Sequence, residues 1–162
     1  MNLCLLRHGK KKSVSESGKD FDIALHPDGF DQAEKMSDFF RQHYDDRSFR
    51  VFCSEALRTK TTYNVVQKSL SVIDESYHNE LYLANLQQLL HFIWKRKVDD
   101  PNVLVVGHNN GLSQLITYFT DQNIDLPSCG FVEIQFPEMD SLTELSRSGG
   151  ELVNHYFPQP GK

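Results

Sequence analysis

Short apolar runs recur along this chain, and they are separated by stretches in which apolar residues are spaced as in helices. The clearest run is Val103–Val106, and Asn2–Leu6 is a second run that is almost wholly apolar. Continuous runs of this length are typical of strands that are buried on both faces of a parallel sheet. The pattern and its flanking turn residues predict four further strands: Arg50–Cys53, Val72–Ile73, Phe131–Phe136 and Glu151–Phe157.

Four helices are predicted between these strands. The first runs from Pro27 to about His43, because proline suits a first helical turn and apolar residues follow at intervals of three and four. The second runs to about Leu70 and is preceded by Ser54, which is placed to cap it. The third and fourth are predicted from apolar stripes at Leu86, Leu89, Leu90 and Ile93 and at Leu112, Leu115, Ile116 and Phe119.

Because strands and helices alternate along the whole chain, the predicted fold class is α/β. We expect a single domain over residues 1–162, built as three α/β/α layers with helices on both faces of a mainly parallel central sheet. Glu151–Phe157 is predicted to be an antiparallel edge strand that pairs with Phe131–Phe136. The polar segment Lys10–Phe21 is predicted to be a loop, and the chain around Tyr77–Tyr82 to be irregular.

Composition narrows the possible partners and the compartment. Apolar residues make up 39% and charged residues 24% of the chain, and the net charge is −5, so neither nucleic acid nor an anionic membrane is expected as a partner. The N-terminus lacks the pattern of a signal peptide, and no segment approaches the roughly 20 apolar residues that span a bilayer. Cys4, Cys53 and Cys129 are far apart and are expected to be free thiols in a reducing compartment. We therefore expect a cytoplasmic protein.

Two arginines and two histidines follow the carboxyl ends of predicted strands. Arg7, His8 and Gly9 follow the first apolar run. Arg58 lies in the first turns of the second helix, and His108 comes just after the clearest strand. Ligands of open parallel sheets bind beyond the carboxyl ends of the strands, so these side chains are expected to meet. Guanidinium groups bind phosphoryl oxygens in pairs, and a neutral imidazole can act as a nucleophile, so the set predicts a phosphoryl site.

Glycines and lysines beside these residues also fit an anion. Gly9 lets the backbone turn sharply and approach a phosphate closely. Gly107 and the helix that opens after Asn110 add free backbone N–H groups. The run Lys10–Lys12 forms a positive rim in an acidic protein, which would steer phosphorylated substrates inward.

At these residues the sequence resembles the histidine phosphatase superfamily. The segment LLRHG resembles the family's Arg-His-Gly motif, and LHPDGFDQA resembles its Leu-Thr-x-x-Gly-x-x-Gln-Ala helix start. CSEALRTKTT resembles its Ser-x-x-x-Arg-x-x-x-Thr motif, and VLVVGHNNGLSQL resembles its second histidine motif. The four motifs occur in order over nearly the whole chain. The short length and the segments GHNNGLS, FVEIQF and GGELV most resemble the SixA-type phosphohistidine phosphatases.

The resemblance implies a role for each matching residue. His8 would be the nucleophile that becomes phosphohistidine, and water would then attack it and release phosphate. The residues expected to bind the phosphoryl oxygens are Arg7, Gly9, Arg58, His108 and Asn109. The arginines and His108 would also stabilise the charge of the transition state. Neither a metal nor a cofactor is required when two arginines supply the charge.

The sequence departs from the family pattern at three places. His26 stands where the first helix usually begins with threonine, which removes a capping hydroxyl, and Lys10 stands where many members have glutamate. Members that hydrolyse esters usually have an acid after the third strand, and Glu80 is the nearest candidate, the alternative being a solvated loop carboxylate. A phosphoramidate expels its leaving group more easily than an ester does. This loosely matched acid and the lack of a long insertion favour phosphohistidine on a protein as the substrate, ahead of a small phosphorylated molecule.

Other functions stay open on the sequence. Inside the superfamily the alternatives are a small-molecule phosphate-ester phosphatase and a mutase-like enzyme, and outside it a non-catalytic phosphoprotein-binding module. A cysteine phosphatase is disfavoured because only four residues, none of them glycine, separate Cys53 from Arg58. A metal hydrolase is disfavoured because the candidate histidines lack the close spacing of metal ligands: His8, His26, His108 and His155.

Overall fold

A six-stranded sheet forms the centre of this computed structural model, which describes residues 1–160. The strands are β1 (Asn2–Arg7), β2 (Ser48–Ser54), β3 (Ser71–His78), β4 (Asn102–Gly107), β5 (Phe131–Gln135) and β6 (Glu151–Tyr156). Across the sheet they lie in the order β3-β2-β4-β1-β5-β6. The first four are parallel, whereas β5 is antiparallel to β1 and β6 to β5. The mainly parallel sheet with an antiparallel edge strand is confirmed, and β5 is a second antiparallel strand.

Four α-helices connect the strands within residues 1–160: α1 (Pro27–His43), α2 (Leu57–Val66), α3 (Leu86–Trp94) and α4 (Gly111–Thr120). Short 3-10 helices lie at Asp20–Asp22, Gln67–Ser69, Asn79–Leu81 and Leu142–Glu144. All four α-helices were predicted from the sequence, three of them from apolar periodicity, and α1 has the predicted bounds. In this part of the chain, none of the helices combines the length and the apolar character needed to cross a membrane.

Apolar side chains cover both faces of the sheet. Along β1, Leu3 and Leu5 belong to one cluster and Cys4 and Leu6 to the other, as the alternation of side chains along a strand requires. The first cluster includes residues of α3 and α4, and the second includes residues of α1 and α2. Burial on both faces explains why β1 and β4 are apolar runs without alternation. The predicted three-layer α/β fold is therefore confirmed.

The junction between β2 and α2 differs from the prediction. Ser54 is the last residue of β2 and does not cap the helix, whose N-cap is Ala56. The reason is that the Ser54 hydroxyl lies 2.8 Å from Nε2 of His108, which follows the neighbouring strand β4. The α-helix ends at Val66 and continues as a 3-10 turn to Ser69, which agrees with the predicted helix end at about Leu70.

One further prediction is wrong in part, and the cap of α1 is formed by a group that the sequence pattern does not indicate. Strand β3 extends to His78, so the chain at Tyr77 is regular; its length was missed because it is the outer strand and most of its residues are exposed. The helix α1 has not lost its cap. The Nδ1 atom of His26 accepts a hydrogen bond from the N–H of Asp28 at 3.0 Å. An imidazole nitrogen thus caps the helix in place of a threonine hydroxyl.

The three cysteines are free and buried, as expected from the sequence. Burial raises the pKa of each thiol, that of Cys129 to about 12. The thiol of Cys53 is therefore uncharged near neutral pH, which argues against a cysteine phosphatase. The cytoplasmic location stays a prediction.

The start of α1 is in backbone contact with the loop that follows β1. A Cβ atom on Gly29 would lie 2.2 Å from the carbonyl oxygen of Lys10, and one on Gly9 would lie 2.8 Å from the carbonyl oxygen of Gly29. Both distances are too short for a side chain, so the close approach requires glycine at both positions. This packing fixes the path of the chain directly after His8.

Replacing Gly29 with alanine is expected to destabilise the fold, because the new methyl group forces the loop away from α1. The expected loss in the free energy of unfolding is about 1–3 kcal/mol, measured by urea denaturation. Gly107→Ala is the matched control, since the nearest atom to its added Cβ is 3.7 Å away. Equal losses in the two variants would contradict this account of the packing.

Candidate active site

Three of the predicted site residues lie together where β1, β2 and β4 end. His8 follows β1, Arg58 lies in the first turn of α2, and His108 follows β4. The rings of the two histidines have centroids 5.2 Å apart, and Nε of Arg58 lies 3.3 Å from Nε2 of His8. At most 5% of each of these three residues is exposed. The site thus forms beyond the carboxyl ends of parallel strands, as the sequence predicted.

His8 is held in one tautomer by the backbone. Its Nδ1 lies 2.7 Å from the carbonyl oxygen of Gly9, which can only accept, so Nδ1 carries the proton and donates. Nε2 therefore carries the lone pair of the ring, which accepts a hydrogen bond from Nε–H of Arg58 at 3.3 Å. The N–H of Gly9 donates to Oγ1 of Thr62 at 3.0 Å, which holds this peptide in place. The atom available for attack on phosphorus is thus Nε2.

Burial keeps both histidines uncharged. Desolvation lowers the pKa of His8 to about 3, and the positive charges of Arg58 and Arg7 act in the same direction, against the opposing effect of the hydrogen bond to Gly9. The pKa of His108 is also lowered to about 3, first by burial and then by His8 and Arg58. Both rings are therefore neutral near pH 7, which an imidazole nucleophile requires.

Asp20, which no sequence motif indicates, joins this cluster. Arg58 donates from Nη1 to the carbonyl oxygen of Asp20 at 2.7 Å and from Nη2 to its carboxylate at 2.9 Å. The hydroxyl of Tyr82 donates to the same carboxylate. The hydrogen bonds from Tyr82 and then Arg58 hold the pKa of Asp20 below its ordinary value, so the carboxylate is ionised. The sequence gives no reason to select Asp20, because it lies in a polar loop that contains a second carboxylate, Glu16.

Arg7 lies beside the cluster at the end of β1. Its Nη1 donates to the carbonyl oxygen of Leu126 at 2.9 Å, and its Nε is buried without a partner among the described residues. Burial lowers the pKa of Arg7, although Asp125 acts in the opposite direction. The charge of Arg7 contributes to the lowered pKa of both His8 and His108. Arg7 therefore has one N–H group, at Nε, that no described residue accepts.

The side chain of Asn109 is engaged elsewhere. Its amide nitrogen donates to Oδ1 of Asp125 at 3.0 Å and to the carbonyl oxygen of Leu126 at 3.3 Å. Its oxygen accepts hydrogen bonds from the N–H and the hydroxyl of Ser113. These contacts connect the end of β4 with the start of α4, and they give no support to the predicted role of Asn109 in phosphate binding.

Glu80 lies in the 3-10 turn after β3, and its side chain contacts residues outside the cluster of His8, Arg58 and His108. Its carboxylate accepts a hydrogen bond from Nζ of Lys95 at 2.7 Å and lies 3.8 Å from Nη2 of Arg96. Half of the side chain is exposed. The hydrogen bond from Lys95 lowers the pKa of Glu80. Within residues 1–160, the carboxylate that hydrogen-bonds to the cluster is that of Asp20.

Positive charge at the site comes from arginine and lysine side chains. In the lysine run, Lys10 is paired with Asp28 at 3.3 Å, whereas Lys11 is exposed and contributes to the lowered pKa of both His8 and Asp20. Lys11 is therefore the lysine of this run whose charge influences the pKa of both His8 and Asp20. Among the residues that the structure describes, no cluster of three or more His, Cys, Asp or Glu side chains could hold a metal ion, and metal independence stays a prediction.

A family model matches more than half of the chain. It is the model of the histidine phosphatase superfamily (branch 1), and it matches residues 3–98. This range includes His8, Asp20 and Arg58. Among curated proteins, none matches the sequence.

Solved structures resemble the fold over almost its whole length. A protein assigned as the phosphohistidine phosphatase SixA from Nakamurella multipartitia is 24% identical, with a TM-score of 0.81 over 97% of this chain and 95% of that one. One from Agrobacterium tumefaciens is 22% identical, with a TM-score of 0.81 over 97% of each chain. The protein histidine phosphatase SixA complexed with tungstate is 16% identical, with a TM-score of 0.78 over 96% of each. The structures support the fold, and the family model shows that this chain belongs to the histidine phosphatase superfamily.

Proposed function

We propose that this protein is a phosphatase that carries the phosphoryl group on Nε2 of His8 during turnover. The observation that supports this most directly is the state of His8, a buried and uncharged imidazole whose Nε2 lone pair faces Arg58. A phosphoprotein-binding module needs guanidinium groups, but it has no need of an imidazole held in the tautomer for attack. The geometry therefore favours an enzyme over a binding module.

In the first step, Nε2 of His8 attacks the phosphorus atom of the bound substrate. The N–P bond forms, the bond to the leaving group breaks, and the leaving group departs with the electron pair. The hydrogen bond from Nδ1 to Gly9 stabilises the positive charge that the ring acquires. Arg58, Arg7 and His108 bind the phosphoryl oxygens, over which negative charge spreads in the transition state.

In the second step, water attacks the phosphorus atom from the side opposite the N–P bond. We assign the proton acceptor to Asp20, an ionised carboxylate that is bonded to Arg58 and whose side chain is 42% exposed. The negative phosphoryl group beside it raises the pKa of Asp20 and makes it a better base. His8 then leaves as a neutral imidazole, because its Nδ1 keeps its proton.

The substrate that we propose is phosphohistidine on a protein. Imidazole departs without help from a strong acid, and the carboxylate at the site is ionised while Glu80 is paired with Lys95. Two of the similar structures are of proteins assigned as phosphohistidine phosphatases. A third holds tungstate, a tetrahedral anion with the shape of phosphate. Small phosphate esters, either hydrolysed or rearranged by a mutase, are the alternative substrates.

Turnover of a phosphohistidine-containing protein and of p-nitrophenyl phosphate tests the proposal. His8→Asn is expected to reduce turnover of both by at least about 1,000-fold, because asparagine has no nucleophilic nitrogen. Wild-type protein quenched during turnover should carry acid-labile, base-stable phosphate. Cys53→Ser is the control and should keep nearly full activity. Full turnover by His8→Asn would refute the mechanism, and a strong preference for an ester would refute the proposed substrate.

Asp20→Asn is expected to separate the two chemical steps. The amide oxygen can still accept hydrogen bonds from Arg58 and Tyr82, but it cannot accept a proton, so hydrolysis of phospho-His8 should slow about 100-fold. The phosphoenzyme should therefore accumulate in rapid-quench experiments. Glu80→Gln makes the same chemical change outside the cluster and should leave both steps within about twofold of wild type. Accumulation in Glu80→Gln alone would assign the base to Glu80 instead.

The neutral state of His8 is also measurable through stability. Its pKa is about 3 in the folded protein, whereas the unfolded chain binds a proton below about pH 6.5. Stability is therefore lost as the pH falls from about 6.5 toward 3, by up to about 1.4 kcal/mol per pH unit for this residue. Between about pH 7 and about pH 4.5, His8→Asn should lose about 2–3 kcal/mol less than wild type in urea denaturation. Equal losses would mean that folding does not lower the pKa of His8.

A further inference from the structure

The hydroxyl of Ser54 and the ring of His108 form a buried pair at the ends of β2 and β4. Ser54 is fully buried, and its Oγ lies 2.8 Å from Nε2 of His108. The proton between these atoms can belong to either one, and the two arrangements present different atoms to a ligand. The other contacts of the pair decide between them.

The balance of donors and acceptors favours a proton on Nδ1 of His108. Oγ of Ser54 already accepts from the N–H of Ala56 at 3.3 Å, and within residues 1–160 its own proton has one acceptor, Nε2 of His108. If Nε2 carried the ring proton, both the hydroxyl proton and the Nδ1 lone pair would be buried without partners. If Nδ1 carries it, only the Nδ1–H lacks a protein partner. Each unsatisfied buried group costs about 1–3 kcal/mol, so the second arrangement is favoured.

A doubly protonated His108 is excluded near neutral pH. Burial lowers the pKa of His108 to about 3, His8 and Arg58 act in the same direction, and Asp20 opposes them. The ring is therefore neutral, with one donor nitrogen and one acceptor nitrogen. The position of the proton matters, because an acceptor nitrogen turned toward a phosphoryl oxygen would repel it.

We propose that Ser54 is a positioning residue that fixes His108 as the Nδ1–H tautomer, so that Nδ1–H donates to a phosphoryl oxygen. Nδ1 is buried and lacks a partner among the described residues, and the ring lies 5.2 Å from that of His8, centroid to centroid. The ring of Tyr82 meets His108 edge-on at 5.4 Å and restricts its rotation. The donor role rests on the proposed phosphatase function, whereas the tautomer is a property of the free protein.

One hydrogen bond then prepares each histidine for the opposite task. The carbonyl of Gly9 binds Nδ1–H of His8 and leaves Nε2 as an electron-pair donor. The hydroxyl of Ser54 binds Nε2 of His108 and leaves Nδ1–H as a hydrogen-bond donor. Two neutral imidazoles side by side thus act as nucleophile and as oxyanion ligand without exchanging roles.

Long-range 1H–15N NMR of histidine-labelled protein near neutral pH reports the tautomer directly. Wild-type His108 is expected to show a protonated Nδ1 and an unprotonated Nε2, with the signals assigned by their loss in His108→Asn. Ser54→Ala removes the donor to Nε2, so the ratio of Nε2–H to Nδ1–H should rise about fivefold or more. Ser54→Thr keeps the hydroxyl and should keep the wild-type tautomer.

Titration with inorganic phosphate tests the donor role. In wild-type protein the Nδ1–H signal of His108 should shift when phosphate binds, and Ser54→Ala should weaken phosphate binding about fivefold. Ser37→Ala is the matched control, because Ser37 is also a buried serine, and its hydroxyl lies 2.6 Å from that of Ser69, outside the site. This control should leave both the tautomer and the phosphate affinity unchanged.

A wild-type His108 that carries its proton on Nε2 would overturn the proposal. So would a Ser54→Ala variant that keeps both the Nδ1–H form and full phosphate affinity, or an Nδ1–H signal that phosphate leaves unmoved. If Ser54→Ala does not fold, the wild-type spectrum and Ser54→Thr decide the question. Wild-type protein that shows the expected tautomer and phosphate response but no turnover would count against the proposed function and not against the role of Ser54.

Discussion

The site depends on the register of three parallel strands. Arg7 of β1 lies opposite Gly107 of β4, and β2 pairs with β4 as far as Cys53, so the three strands end at the same level. The residues that follow therefore enter one space, where His8 and His108 meet. A slip of one residue would turn every side chain of a strand to the opposite face. The two apolar clusters that fix the register thus also fix the distance between the histidines.

The same apolar core surrounds this edge of the sheet, so burying a charge there is unfavourable. The residues at this edge offset that unfavourable free energy in two ways. Arg58 keeps its charge at 2% exposure because Asp20 and His8 accept hydrogen bonds from its guanidinium nitrogens. The histidines stay neutral: His8 has polar partners at both ring nitrogens, and His108 has one, at Nε2. A phosphoryl group entering this space therefore meets donors that are already oriented and poorly screened by water, which is the condition for strong electrostatic stabilisation.

How much of this was predictable depended on where each residue lies. His8 and His108 follow continuous apolar strands, so the strand pattern was enough to place them at one edge. Asp20 was missed because a polar loop has no periodicity from which its path can be inferred. The partner of Ser54 was missed because it lies 54 residues away, and a serine before a helix is usually a cap. Glu80 was a candidate because it follows β3 along the chain, but its carboxylate is paired with Lys95 and Arg96, which directly follow α3.

A crystal structure with orthovanadate bound tests the central claim most directly, because vanadate adopts the five-coordinate geometry of phosphoryl transfer. We expect vanadium bonded to Nε2 of His8, with the apical oxygen opposite this bond facing Asp20. The equatorial oxygens should contact Arg7, Arg58 and Nδ1 of His108. Vanadate bound away from these side chains, or bonded to Nδ1 of His8, would contradict the account.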